Sequence, residues 1–264
     1  MASEQVAGFE RPARPVEGPP EIDERQMSIL EHLEELRRVV LISLIAWVVA
    51  TGVAFVFNHQ MIWILERPLH LALVHTRSPF GQDVVVTSPI EGLSIPFKVA
   101  AAAGVILSLP ITAWQAWTFV KPGLLRAERG MAFPFIFGTL FFFALGGVFA
   151  YFILPVGLAF LATFLGSNAV YLPDLNAYLT FLALVVLVFG VTFEMPVVLC
   201  TLAAVGILSS ARLRHWRKAA YFVIVGVSLV VTPGADPFTP TFLSIALIVL
   251  YEGSILVIAK ALHR

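Results

Sequence analysis

Residues 31–38 read Glu31-His32-Leu33-Glu34-Glu35-Leu36-Arg37-Arg38 and run straight into 39–57, a stretch without a charged side chain. About 20 apolar residues at roughly 1.5 Å rise per residue cross the ~30 Å hydrocarbon core of a bilayer, so 39–57 reads as a membrane span. Arg37 and Arg38 at its start argue that this end stays in the cytoplasm. Glu31, Glu34 and Glu35 place three carboxylates at the same edge, a negatively charged surface suited to a cationic partner.

The rest of the composition agrees. The 264 residues are 59% hydrophobic and 13% charged, with a mean hydropathy of +0.89. That is outside the range of soluble domains and indicates an integral membrane protein. Zero formal net charge gives no overall field that would attract nucleic acid. Cys200 is the single cysteine, so neither a disulfide framework nor a cysteine-based metal site is available.

Residues 1–27 carry Pro12, Pro15, Pro19 and Pro20 among Glu, Arg and Gly. They have too little apolar surface to order themselves and read as a disordered cytoplasmic tail. No apolar core of a cleaved signal peptide is visible there. Order is expected from Ser28, where Ser28-x-x-Glu31 fits a capping box, and Ile29, Leu33, Leu36 and Val40 recur at helical spacing.

Five further spans are expected at about 97–120, 132–154, 177–205, 219–231 and 242–259. Pro110 should kink the second. The fifth is short of a standard core before Thr232-Pro233-Gly234. The fold class is therefore an all-α, six-transmembrane-helix bundle over 28–260 with its last two helices short, followed by a cytoplasmic tail at 261–264. Of the 17 Lys and Arg, all but Arg67, Arg77 and Lys98 fall on one side of this layout, which puts both termini in the cytoplasm. On the outer side, 58–96 forms a long connection with Pro68, Pro79, Pro89, Pro96 and Trp63, suited to an interfacial segment. The last outer loop, 232–241, is a tight turn containing Asp236.

Within the spans, Glu194 in Val191-Thr192-Phe193-Glu194-Met195-Pro196 stands out. A charge at the bilayer centre costs about 2.5–3.5 kcal/mol on insertion scales, so such residues face protein or water. Pro196 frees the carbonyl of Thr192, creating a polar, irregular patch around the carboxyl. A neutral Glu194 bonded to a neighbouring helix and a functional polar patch both fit. Glu252 in the last span raises the same two readings. The six histidines lack metal-ligand spacing, Ser228 lacks a base and a second glycine for a nucleophile motif, and no nucleotide-binding Gly-rich loop is present. Neither catalysis nor a cofactor is expected.

Taken in order, His32–Arg37, Ser88-Pro89-Ile90-Glu91, Trp117-Thr118-Phe119-Val120-Lys121-Pro122-Gly123-Leu124 through Glu128-Arg129, Phe193-Glu194-Met195-Pro196, and Thr232-Pro233 with Asp236 resemble the TatC family of twin-arginine protein translocases. The resemblance runs from Ser28 to about Ala259. It implies a multi-pass protein of the bacterial cytoplasmic membrane that binds twin-arginine signal peptides of folded cargo. It also implies export driven by the proton gradient, with single-span TatA and TatB type subunits, self-association and membrane lipids as partners.

Carried over residue by residue, Glu35, Phe119 and Glu128 stand at signal-recognition positions, with Arg37 in support. Carboxylates suit this role because guanidinium is planar and permanently charged. Locally, Glu35 could instead pair with neighbouring arginines, Glu128 with Arg126 or Arg129, and Phe119 could simply mark the interface. The resemblance makes Pro68 and Asp236 outer-loop structural residues and Glu194 part of an intramembrane partner surface, to which Glu252 is added from its own place in the last span. The sequence departs from the family at Pro240, where a Gln is common. A proton-coupled small-solute transporter using Glu194 is the alternative function.

Overall fold

The computed structural model describes residues 29–73, 84–121, 130–162, 172–232 and 236–261. The tail, Ser28, Glu128 and Pro233 lie outside the described residues. Nine helices are present among them: α1 (Ile29–Val56), α2 (Asn58–Leu73), α3 (Glu91–Val120), α4 (Ala132–Ala162), α5 (Leu175–Thr192), α6 (Met195–Ala204), α7 (Ser210–His215), α8 (Arg217–Val231) and α9 (Phe238–Ala261). Five segments of 23 to 30 residues are long and apolar enough to cross a membrane: Leu30–Val56, Glu91–Val120, Ala132–Leu161, Leu175–Ala204 and Phe238–Lys260. α8 has 15 residues, about 22 Å of helix.

Helices α1 and α3 lie against each other because small residues let their backbones meet. A Cβ on Gly104 would collide with Thr51 Oγ1 and sit 2.9 Å from Thr51 Cα. Beside this crossing, Trp47 Nε1 donates to the Ala101 carbonyl at 2.9 Å. α4 and α5 approach in the same way, with Gly146 facing the Phe189 carbonyl and the Phe143 ring lying over Gly190. Without a hydrophobic drive between helices in lipid, such close small-residue contacts hold spans together. The buried core runs through Leu69, Leu182, Val185, Phe189, Leu243 and Ile255, while Leu41, Leu44, Ile45, Val48 and Val49 leave one side of α1 exposed. So extensive an apolar exterior fits a lipid surround.

The long connection after α1 is more ordered than an interfacial segment. It forms α2, which Pro68 does not interrupt. A proline at 68 cannot donate to the carbonyl of Ile64 four residues back. The Tyr151 hydroxyl of α4 donates to that carbonyl at 2.8 Å, and the Tyr178 hydroxyl of α5 donates to the next one, Leu65, at 2.8 Å. The proline thus frees the Ile64 carbonyl for Tyr151, and the adjacent Leu65 carbonyl serves Tyr178 as a second acceptor.

Boundaries also differ from the sequence expectation. α4 continues past Pro155 to Ala162 instead of stopping near 154, because an apolar run continues beyond a proline that removes one backbone bond. α3 passes Pro96 and Pro110 without interruption. The single span expected at 177–205 is divided at Phe193–Glu194 into α5 and α6, where Pro196 removes the donor for Thr192.

Candidate functional site

The start of α1 and the end of α3 meet at one end of the bundle. There the His32 ring stacks on Phe119, with centroids 4.3 Å apart and planes 16° from parallel. One turn on, Glu35 directs Oε2 toward His32 Nδ1 at 3.7 Å, too long for a hydrogen bond. That oxygen is buried and has no hydrogen-bond partner among the described residues. An acceptor removed from water and left unbonded costs on the order of 1–3 kcal/mol or more. A planar cation that reached it would relieve that cost. Arg37, two residues further, is exposed. Glu35, His32 and Phe119 thus form one cluster; Glu128 lies outside the described residues.

About 15 Å from the same end, at ten residues from the close of α6, Glu194 occupies the break between α5 and α6. Its backbone is helical (φ −69°, ψ −11°), and its side chain makes no cap bond to α6. Thr139 of α4 lies next to the carboxyl, and Glu194 Oε1 is buried without a partner among the described residues. The Thr192 hydroxyl turns back to the Val188 carbonyl at 2.8 Å, so it does not serve Glu194.

The family profile described as Sec-independent protein translocase protein (TatC) matches residues 31–245. The chain belongs to the TatC family. It is 34% identical to the Sec-independent protein translocase protein TatC of Frankia casuarinae over 89% of its own length, and spans 66% of that relative. It is also 34% identical to the TatC proteins of Deinococcus radiodurans, over 89% of this chain and 86% of the relative, and of Aquifex aeolicus, over 87% and 93%. A crystal structure of the twin-arginine translocase receptor TatC in DDM superposes with a TM-score of 0.73 at 33% identity, covering 86% of this chain and 99% of that one. The all-helical architecture is the TatC fold, and the chain is a component of a non-catalytic protein-transport family.

The other positions expected from the sequence resolve into distinct local roles. Asp236 caps α9: its Oδ1 accepts from the backbone N–H of Phe238 at 3.0 Å and of Thr239 at 2.6 Å. Pro240 is buried, and its carbonyl accepts from the Ser244 hydroxyl at 2.7 Å. Pro68 is fully buried. Glu252 accepts from Arg217 Nη2 at 2.5 Å and from the Tyr221 hydroxyl at 2.6 Å. Arg217 opens α8, so Glu252 lies level with the start of that short helix and meets a cation there. It is tied to partners within the chain, whereas one oxygen of Glu194 is not.

Two sets of residues escaped the sequence reading. At the opposite end from Glu35, Thr87 binds two carboxylates: its N–H donates to Glu91 Oε2 at 3.0 Å, and its hydroxyl lies 3.0 Å from both Glu91 Oε1 and Asp174 Oδ2. Asp174 in turn caps α5 through the Ala177 N–H at 2.6 Å. This ties the Ser88–Glu91 motif to α5 and gives it a structural role. His32 was visible only as part of a motif; its i, i+3 spacing to Glu35 was the available signal. No group of three metal-ligating side chains occurs among the described residues.

Proposed function

We propose that this chain is the membrane receptor and core subunit of a twin-arginine translocation system. It binds the paired arginines of signal peptides on folded cargo, and the assembled complex moves that cargo across the membrane at the expense of the proton gradient. In this reading, six helices cross the cytoplasmic membrane, α8 among them, with both termini in the cytoplasm. Glu35, Arg37, Phe119 and Glu128 make the signal-recognition surface. The observation that supports it best is the buried, unbonded oxygen of Glu35 beside His32, the ring that stacks on Phe119. An arginine side chain answers both needs at once, with a planar fork for the carboxylate and a face for the ring.

Glu194 is assigned to a surface for single-span TatA or TatB type subunits. Its unbonded Oε1 offers an acceptor at mid-membrane depth, where a polar group on a partner helix would otherwise be unsatisfied. The rival reading, a proton-coupled small-solute transporter, rests on the same carboxyl. Many such transporters are built from pseudo-symmetric halves, which are not evident in this sequence.

The test is export of a folded fluorescent reporter in cells whose resident TatC is replaced by this chain. The proposal predicts export that requires two arginines in the reporter's signal and falls at least tenfold with Glu35→Ala. Export that tolerates two lysines and Glu35→Ala would overturn it.

A further inference from the structure

The recognition cluster is already occupied from within. His32 covers the face of Phe119 at 4.3 Å, nearly parallel, and its Nδ1 lies 3.7 Å from Glu35 Oε2. That is the place a guanidinium must take to lie on the aromatic face and pair with the carboxylate together. Phe119 belongs to α3 and the other two to α1, so the stack also pins the first turns of α1 to the end of α3. His32 is the accessible member: 47% of its side chain is exposed, against 20% for Glu35. It sits within the first turns of a helix, where the backbone has fewest hydrogen bonds.

We propose that His32 is an internal plug of the recognition site, holding the Phe119 face and the approach to Glu35 until an arginine displaces it. This rests on the receptor reading given above. Its imidazole stands in for the incoming cation without satisfying the carboxylate: at 3.7 Å it makes no hydrogen bond, and Oε2 stays unbonded. The empty site therefore keeps its demand for a donor while its aromatic face is shielded. A bound arginine gains both contacts but first breaks the stack. Aromatic pairs of this kind change affinity by about three- to tenfold when lost.

The experiment uses the full chain in lipid nanodiscs and a fluorophore-labelled synthetic peptide with two consecutive arginines followed by an apolar segment. Its dissociation constant is measured for the wild type and for His32→Ala, His32→Phe and Glu35→Ala. With the plug removed, His32→Ala binds about three- to tenfold more tightly. His32→Phe, which restores a ring over Phe119, binds within about twofold of wild type, an effect that a general loosening of α1 would not reproduce. Unchanged or weaker binding by His32→Ala overturns the plug. If Glu35→Ala and a two-lysine peptide still show clear losses in that case, the receptor reading stands and the plug alone falls. If neither shows a loss, both fall together.

Discussion

The tyrosine bond to α2 is sharp enough to test by a double-mutant cycle. Pro68 leaves the Ile64 carbonyl without its helical donor, and the Tyr151 hydroxyl supplies one at 2.8 Å. Tyr151→Phe removes that donor and leaves the carbonyl unpaired. Because the contact is exposed, the cost should be no more than the ordinary net value of about 1 kcal/mol, or a fall of about 2–4 °C in Tm for a chain of this size. Pro68→Ala returns a backbone N–H to position 68, which can bond Ile64 directly. In that background Tyr151→Phe should cost close to nothing, giving a coupling of about 1 kcal/mol between residues far apart in sequence. The cycle cancels the packing that Pro68→Ala itself loses. Thermal unfolding of the four variants in detergent, followed by far-UV circular dichroism, provides the measurement. Equal cost of Tyr151→Phe in both backgrounds would refute the claim that the proline creates the acceptor.

Three further outcomes follow from the geometry. Gly104→Ala puts a methyl against the Thr51 backbone, and forcing α1 from α3 should cost about 1–3 kcal/mol, visible as a lower Tm. Asp236→Ala removes the cap of α9 and should cost about 1 kcal/mol in the same assay, with Asp236→Asn recovering most of it. Glu194→Gln keeps an acceptor at the break between α5 and α6 and should retain export of a twin-arginine reporter, while Glu194→Leu should lose it; loss in both would refute the view that an acceptor alone suffices there.

The long apolar runs made α1, α3, α4 and α9 legible, because a membrane span announces itself by length and by the absence of charge. The irregular patch at Glu194 was legible too, since Pro196 must free a carbonyl four residues earlier, but the division of that span into α5 and α6 was not. α2 was not: its proline and mixed polarity argue against a helix, and what favours it, the hydroxyls of Tyr151 and Tyr178 and the burial of Leu69 and Leu73, depends on helices distant in sequence. The role of Glu252 was equally hidden. Its carboxyl looks isolated along α9, and its partner Arg217 is 35 residues away on a helix that starts level with it. At the recognition cluster, the motif pointed to Glu35 and Phe119, but the ring that covers Phe119 belongs to a different helix and leaves no local pattern. Pairings across helices depend on depth in the bundle, which periodicity within one helix does not encode.

The central claim is that paired arginines bind where α1 meets α3. The most direct measurement places a photocrosslinking residue next to the arginine pair of a signal peptide and maps its products on this chain in membranes. The account predicts crosslinks to the first turns of α1 around Glu35 and to the end of α3 around Phe119. They should be lost when Glu35 becomes Ala or when the arginines become lysines. Crosslinks that persist through both changes, or that map to the opposite end of the bundle near Glu91 and Asp174, would contradict it.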